Sequence, residues 1–246
     1  NKLFTFSRFC YIIDSGADCA RSLLMILYGA CGAKGKMRPR PLARRARRFK
    51  RGRKMQLDKI VVASGNEGKI KEILKIFKGC EIVPMREAGF TVEIEENGKS
   101  FRENALIKAR AVCEKLSLPA LADDSGLCVD FLGGAPGIYS ARFSGEGDAA
   151  NRRLLLEKMK DATDRRAHFE CAVCLYLPDG RTLFGVGQTF GSILQEERGK
   201  HGFGYDSLFF SDDLKKSFGE ASAREKNKVS HRARALADLT ERLKTF

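Results

Sequence analysis

Two adjacent acids, Asp123 and Asp124, follow a short apolar run and are candidates for chemistry. Placing carboxylates beside a buried strand is costly unless they serve a purpose. Neighbouring side chains in extended chain point apart, so we expect one of the two to enter a site. Such a carboxylate can bind Mg²⁺ or accept a proton from water. The alternative is a turn closed by Ser125 and Gly126, without a chemical role.

A second candidate is the loop between a predicted strand and a predicted helix. Backbone N–H groups at a helix N-terminus bind anions, glycines let the backbone approach a phosphate closely, and Lys69 adds a positive charge. The loop is not a P-loop, because Ala63 and Ile70 stand where that motif needs Gly and Ser or Thr. Phosphate binding and an ordinary capped helix start both fit its residues, which are Ser64, Gly65, Asn66, Glu67, Gly68 and Lys69.

Glu103 is a third candidate, at the start of another predicted helix. It could hold a metal ion from the first helical turn. Ser100 and Glu103 also have the spacing of a capping box, in which the glutamate reaches back to the N-cap residue. The local pattern by itself favours the cap.

The remaining candidates lie near the C-terminus. Two glycines flank an aromatic residue in the segment 202–206, which suggests a ring displayed for stacking on a purine, with a carboxylate nearby. The alternative is a glycine-bulged strand with a core aromatic. Cations at the start of the last helix oppose the helix dipole and hint at an anionic ligand. The residues concerned are Phe203, Gly204, Tyr205 and Asp206, followed by Lys226, His231 and Arg232.

The elements that must position these residues alternate along the chain. Apolar residues at helical and at strand periods predict an α/β fold, and a hairpin across Pro178-Asp179-Gly180 predicts a mixed sheet. Predicted strands are 58–63, 91–96, 169–177 and 181–190, with a further one ending at 120–122; predicted helices begin near 67 and span 104–116, 148–160 and 230–244.

Charge divides the chain in two. Residues 1–54 carry fifteen Lys or Arg against two Asp, so +13 of the total formal charge of +14 lies there and +1 remains for residues 55–246. We expect 1–54 to be a disordered extension, either upstream of a true start at Met55 or a transit peptide, and 55–246 to be the catalytic domain. A nearly neutral body gives no support to a nucleic-acid partner.

The amino-acid composition further narrows the class of protein. No run of about 18 apolar residues is present, so we expect no membrane partner. Five cysteines in 55–246, an odd number, predict reduced thiols and a cytoplasmic location. Cys171 and Cys174 lie three apart in a predicted strand, which places them on opposite faces as buried small side chains.

Five ordered segments resemble the RdgB-type inosine triphosphate pyrophosphatase family. They are SGNEGK (64–69), SFRENALIKA (100–109), LADDSGLCVDFLGGAPGIYSARFSGEG (121–147), GFGYDSLFF (202–210) and EKNKVSHRARAL (225–236). The resemblance runs from about residue 59 to the C-terminus, and residues 133–142 are its most diagnostic part. Residues 1–54 have no counterpart in it.

The resemblance implies an elongated, two-lobed α/β fold around a long mixed β-sheet, with the active cleft between the lobes, usually in a homodimer. It also implies Mg²⁺-dependent hydrolysis of ITP, dITP or XTP to the monophosphate and pyrophosphate. Glu103 and Asp124 would bind Mg²⁺, and Asp124 would be the general base. Ser64, Asn66 and Lys69 would hold the triphosphate, Phe203 to Asp206 would form the base pocket, and Ser125, Lys226, His231 and Arg232 would contact the nucleotide, the last two at the 6-oxo edge.

Three alternatives stay open at this point. One is a Maf-like nucleotide pyrophosphatase of related fold that acts on pyrimidine or modified nucleotides. Another is a nucleotide-binding module without catalysis, although such a module would not need Lys69, Glu103 and Asp124 together. The third is a nucleic-acid-binding protein that uses the basic segment.

Overall fold

The structure is a computed structural model that describes residues 57–77 and 80–246. The basic segment 1–54 lies outside the described residues, and the boundary at 54–55 stays a prediction. In the described ranges no helix is both long and apolar enough to cross a membrane.

One mixed sheet organises the described residues. Its order is β2-β1-β3-β4-β5-β6-β7; β1 is parallel to β2 and β3, and the other neighbours are antiparallel. The predicted mixed α/β architecture is confirmed. The strands are β1 (Lys59–Val62), β2 (Glu81–Pro84), β3 (Ala120–Val129), β4 (Arg166–Tyr176), β5 (Thr182–Ile193), β6 (Phe209–Ser211) and β7 (Lys216–Ser217).

The predicted helices are all present, and polar caps fix where most of them begin. The side chains of Asn66, Ser100, Ser222 and Ser230 each accept a backbone N–H from the first turn, which satisfies a donor without a helical partner. The helices are α1 (Glu67–Ile76), α2 (Phe101–Leu116), α3 (Asp148–Lys158), α4 (Ala223–Val229) and α5 (His231–Leu243), with 3-10 helices at Asp130–Leu132 and Gly137–Arg142.

Two predicted features are wrong. Residues 91–96 form no strand despite their alternation; Val92 is 61% exposed and the segment lies along a cleft. The strand predicted to end at Ala122 instead continues to Val129, because it pairs with β4 over its whole length. Asp123 and Asp124 therefore lie inside a strand, not at its end, and the alternative of a turn closed by Ser125 and Gly126 is excluded.

The long strands pass through two packed regions. At the first, α1 and α5 cover one sheet face and α2 covers the other, burying Ile73, Leu236 and Val112 among others. At the second, α3 packs with β6 and the residues around Phe218. Burial of each such side chain is worth about 1.5–3 kcal/mol. The polar centre of β3 lies between these two apolar regions.

The two strand cysteines have the predicted structural role. Cys171 and Cys174 are buried free thiols that belong to different core clusters on opposite sheet faces. Burial raises the pKa of the Cys174 thiol to about 12, so it is not a reactive thiolate at neutral pH.

Candidate active site

The loop between β1 and α1 is both a helix cap and a wall of the cleft. Asn66 Oδ1 accepts the Lys69 N–H at 3.1 Å, and Ser64 Oγ accepts the Asn66 N–H at 3.2 Å. The cleft is lined by Ser64, Gly65, Asn66 and Lys69, whereas Glu67 and Gly68 are outside its lining. An ordinary helix cap and a phosphate-binding site are thus compatible, because the same helix N-terminus can serve as both.

Glu67 and Gly68 have other surroundings. The Glu67 carboxylate pairs with Lys71 on the exposed side of α1, at 3.3 Å. A Cβ on Gly68 would lie 2.8 Å from the Phe203 ring. Gly68 therefore lets the aromatic ring pack against the loop.

The adjacent acids point to opposite faces of β3 and have different partners. Asp123 is 1% exposed; its Oδ2 accepts from Arg232 Nε at 3.1 Å and Nη2 at 2.9 Å, and lies 3.2 Å from Lys69 Nζ. Burial acts to raise the pKa of Asp123, but Lys69 and Arg232 outweigh it and hold that pKa well below its usual range. Asp123 is a permanent anion that fixes two cations.

Asp124 lines the cleft and is 7% exposed. Its Oδ2 accepts from Asn104 Nδ2 at 3.0 Å, and its Oδ1 lies 3.4 Å from Lys108 Nζ. Burial raises the pKa of Asp124, and Lys108 and Lys69 oppose the rise. A carboxylate with a raised pKa is a better proton acceptor than an ordinary one.

Glu103, the metal candidate from the sequence, does not line the cleft, whereas Glu96 does. Glu103 is exposed and outside the cleft lining; its Oε2 accepts the Lys99 N–H at 2.7 Å while Ser100 Oγ accepts the Glu103 N–H at 3.2 Å. Ser100 thus caps the helix, but Glu103 bonds to the N–H of Lys99 and not to that of Ser100, so the predicted capping box is not closed. Glu96, which sequence reasoning missed, lines the cleft, and its Oε2 lies 2.9 Å from Lys108 Nζ.

The sequence contains only weak indications that Lys108 and Glu96 belong to the site. Lys108 follows Asn104 by one turn of α2, so a charged residue occupies the inward face of a helix. A buried lysine needs anionic partners. The acid-rich run 93–96 supplies one of them, Glu96.

The aromatic turn, residues 202–207, forms a further wall of the cleft, next to the loop that carries Gly68. Asp206 Oδ2 accepts the Phe203 N–H at 2.9 Å and lies 2.6 Å from Lys226 Nζ; burial raises the pKa of Asp206 and Lys226 opposes the rise. Tyr205 is buried, with its hydroxyl donating to Ser140 O at 2.9 Å. The segment is a turn, so the alternative of a glycine-bulged strand is wrong.

Phe203 is the ring that this turn presents to the cleft. Lys226 Nζ lies 4.8 Å and Arg232 Cζ 6.0 Å from its centroid. Gly202 has φ +80°, and a Cβ there would collide with the Asp206 carboxylate. The turn therefore depends on this glycine.

The cations at the start of α5 are balanced by protein carboxylates. Arg232 is 1% exposed and bonds to Asp123, Glu72 and Ser125 Oγ, the last at 2.9 Å. Glu72, on α1, also lies 2.9 Å from Lys226 Nζ and was missed by sequence reasoning. The charge that hinted at an anionic ligand is thus neutralised within the fold.

His231 lines the same wall and is neutral. Its ring stacks on Phe169 with centroids 4.7 Å apart, and its buried Nδ1 has no hydrogen-bond partner among the described residues. Burial lowers the pKa of His231 well below its usual value, and Arg232 and Lys226 lower it further. An unpaired buried nitrogen is costly unless a ligand satisfies it.

These walls enclose a cleft of about 680 Å³, which is within the range of small-molecule sites. The Ser64–Lys69 loop, Asp124 and Glu96 contribute anion-binding and carboxylate groups, and Phe203, His231 and Arg232 contribute aromatic and donor groups. In the described ranges no three His, Cys, Asp or Glu side chains are grouped to hold a metal ion. The cleft thus has the parts to bind an aromatic base and a charged tail together.

Comparisons with known proteins agree on one family. The Ham1 family model matches residues 60–242. The chain is 50% identical over 195 residues to the dITP/XTP pyrophosphatase of Pseudomonas aeruginosa, covering 77% of this chain and 98% of that protein. It is 43% identical over 189 residues to the enzyme of the same name from Bacillus subtilis, covering 74% and 96%.

Solved structures give the same result. The Staphylococcus aureus Ham1 protein superposes with a TM-score of 0.70 at 40% identity, covering 76% of this chain and 98% of that one. A HAM1 protein from Coxiella burnetii superposes with a TM-score of 0.70 at 38% identity, covering 76% and 99%.

Proposed function

The chain belongs to the Ham1 family, and from that premise we propose that its cleft hydrolyses non-standard purine nucleoside triphosphates (ITP, dITP and XTP) to the monophosphate and pyrophosphate. Two relatives that this chain matches over nearly their whole length, at 42% and 50% identity, are named dITP/XTP pyrophosphatase. The observation that carries the proposal is the cleft itself, whose lining combines Asp124, the Ser64–Lys69 loop and the Phe203 ring.

Asp124 is the proposed general base. It takes a proton from water as the water oxygen bonds to the α-phosphorus, and the bond from that phosphorus to the bridging oxygen breaks to release pyrophosphate. Asn104 Nδ2 orients the carboxylate at 3.0 Å. General-base catalysis of this kind contributes about 10²–10⁴-fold.

Charge on the triphosphate meets fixed positive groups. Lys69 and the N-terminus of α1 bind phosphate oxygens, and Asp123 holds Lys69 in place at 3.2 Å. Lys108, between Glu96 and Asp124, supplies another cation. Such preorganised groups stabilise charge that develops on the leaving pyrophosphate.

Glu96 and Asp124 are the residues that we propose to hold Mg²⁺. Both carboxylates contact Lys108 Nζ, at 2.9 and 3.4 Å, so a single cation reaches both. Two carboxylates together with substrate phosphates are a donor set that Mg²⁺ accepts. When bound, the ion offsets negative charge on the phosphates. Glu103, assigned to the metal from the resemblance, is replaced by Glu96 in this proposal.

We assign base selection to the part of the cleft lined by Phe203, His231 and Arg232. Phe203 stacks on the purine, and His231 and Arg232 meet its 6-oxo edge. A 6-amino group in that place would leave buried donors unpaired, which costs up to about 10⁴-fold in comparable sites. Glu72 and Asp123 hold the Arg232 guanidinium rigidly, so the site cannot easily adapt to the wrong base.

We also propose a homodimer in the cytoplasm. The resemblance supports the dimer, and five free cysteines among the described residues support a reducing compartment. Light scattering on the purified chain measures the dimer directly; a monomer at micromolar concentration would contradict it.

The test is a nucleotide panel with Mg²⁺, with products separated as monophosphate plus pyrophosphate or diphosphate plus phosphate. We expect ITP, dITP and XTP to give pyrophosphate, and ATP, which carries a 6-amino group, to react far more slowly. Preference for pyrimidine or modified nucleotides would favour a Maf-like activity. Binding without turnover would favour a module that lacks catalysis.

A further inference from the structure

The aromatic turn is attached to helix α3 through the backbone N–H and C=O of one residue, Gly204. Asp148 Oδ2 accepts the Gly204 N–H at 2.9 Å, and Arg152 Nη1 donates to the Gly204 carbonyl at 3.0 Å. Asp148 and Arg152 lie four residues apart on α3 and so share a face of the helix. Gly204 has φ +61°, and one helix face holds both of its backbone polar groups.

Arg152 also reaches the far end of the turn. Its Nε forms an ion pair with Glu197 Oε2 at 2.9 Å, and Ser207 Oγ donates to the same carboxylate oxygen at 2.7 Å. The guanidinium thereby connects Gly204 directly and Ser207 through Glu197. A planar group with several fixed donors suits this double contact, which lysine cannot reproduce.

The helix that provides these contacts is itself fixed. Leu155 of α3 and its C-cap residue Met159 are buried in the core beside Phe209 and Phe218. Asn151 Oδ1 accepts the Ser144 N–H at 2.7 Å. The orientation of α3 is therefore set by the core and passed to the turn through Asp148 and Arg152.

We propose that Asp148 and Arg152 are positioning residues that set Phe203 for base recognition by clamping the backbone N–H and C=O of Gly204. The proposal rests on the proposed function of the cleft. Phe203 directly precedes the clamped residue; its N–H bonds to Asp206, and its ring packs against the loop at Gly68. Loss of the clamp removes the restraint on the side of α3, so base binding weakens, while Lys69 and Asp124 keep their own partners.

The first measurement is hydrogen exchange of the segment 202–207, which does not depend on activity. The variants are Arg152→Ala and Asp148→Ala, with the neighbouring exposed Arg153→Ala as matched control. We expect faster exchange at Gly204 in both clamp variants and wild-type exchange in Arg153→Ala. Unchanged exchange in the clamp variants overturns the proposal, whatever the substrate of the enzyme.

The second measurement separates base from phosphate binding. We expect Arg152→Ala to raise KM for ITP by about tenfold, to change kcat less, and to leave inhibition by inorganic tripolyphosphate, which has no base, unchanged. Asp148→Asn keeps an acceptor oxygen and should retain more ITP affinity than Asp148→Ala. The double alanine variant should lose less than the two single losses combined, because both act on one residue, Gly204.

The outcomes are distinct. A wild-type chain that does not hydrolyse ITP refutes the proposed function, while hydrogen exchange still decides whether the clamp exists. A wild-type chain that hydrolyses ITP, with Arg152→Ala at wild-type KM, refutes the positioning role. Equal losses for ITP and tripolyphosphate also refute it, because they indicate a general disturbance of the cleft.

Discussion

At the scale of single residues, two neighbouring carboxylates have divided tasks. Asp123 is surrounded by Lys69 and Arg232 and stays charged, whereas Asp124 faces the cleft with a raised pKa. The difference arises because consecutive strand residues point to opposite sheet faces. Substitutions at the two positions should therefore fail in different ways.

Asp124→Asn should lower kcat by about 10²–10⁴-fold, because the amide cannot accept the proton, with little loss of stability. Asp123→Asn should lower the free energy of unfolding by about 3–5 kcal/mol, because two buried cations lose a charged partner. Steady-state kinetics and urea unfolding measure the two effects. Retention of more than about a tenth of wild-type turnover in Asp124→Asn would contradict its role as base.

A pair of glutamates tests the metal assignment. Glu96→Gln should raise the Mg²⁺ concentration for half-maximal rate by about tenfold or more, because a charged oxygen ligand is lost. Glu103→Gln is the matched control; its amide oxygen still accepts the Lys99 N–H, so the Mg²⁺ dependence should stay as in wild type. The reverse pattern would restore Glu103 as the ligand.

His231 should make stability depend on pH near neutrality. Its pKa in the folded chain is depressed by burial and by Arg232 and Lys226, so the folded state resists protonation and the unfolded state does not. The free energy of unfolding should therefore fall as pH drops below about 6.5, by up to about 1.4 kcal/mol per pH unit.

The measurement is urea unfolding between pH 5 and pH 8. His231→Phe keeps a ring against Phe169 and should flatten the profile in that window. His201→Gln, at an exposed histidine, controls for the loss of a histidine as such. A profile unchanged by His231→Phe would show that other groups cause the pH dependence.

At the scale of elements, helix starts and close backbone contacts position the site. Helix α1 presents its N-terminus to the cleft, and α5 begins with His231 and Arg232. Helix α5 lies against β5 at two glycines, where a Cβ on Gly185 or Gly187 would collide with the α5 backbone around Ala235. The position of His231 and Arg232 on α5 therefore depends on two glycines of strand β5.

Gly187→Ala should displace α5, lowering the free energy of unfolding by about 1–3 kcal/mol and raising KM for ITP. Val186→Ala is the neighbouring control, since Val186 is 44% exposed and its truncation disturbs no packed helix. Both variants are compared by thermal unfolding and steady-state kinetics. Equal behaviour of the two would refute the close approach.

At the scale of the whole molecule, catalysis should not need the basic segment. It carries +13 of the net charge, and the family match begins at residue 60. A chain starting at Met55 should keep kcat/KM for ITP within about tenfold, or about 1.4 kcal/mol, of the full chain. A larger loss would show that residues 1–54 take part in binding or folding.

The sequence by itself determined the long helices, the β4–β5 hairpin and the candidate motifs, whereas β2, β6, β7 and α4 were not predicted. Apolar periodicity and caps such as Asn66 and Ser230 act over a few residues, so these helices and the β4–β5 hairpin could be predicted from local pattern. The motif spacing was sufficient for the resemblance, and the family match and relatives bear it out. Local pattern also favoured a cap at this helix start; Ser100 does cap α2, although Glu103 bonds to the Lys99 N–H and leaves the capping box unclosed.

Tertiary structure decided which of these residues meet. Long-range pairing with β4 extended β3 through the acids, and this sent Asp123 toward Arg232 and Asp124 toward Lys108. Glu96 reached the cleft from a segment whose alternation suggested a strand, because its place depends on a lysine twelve residues away. Such contacts join residues far apart in the chain, and no local spacing encodes them.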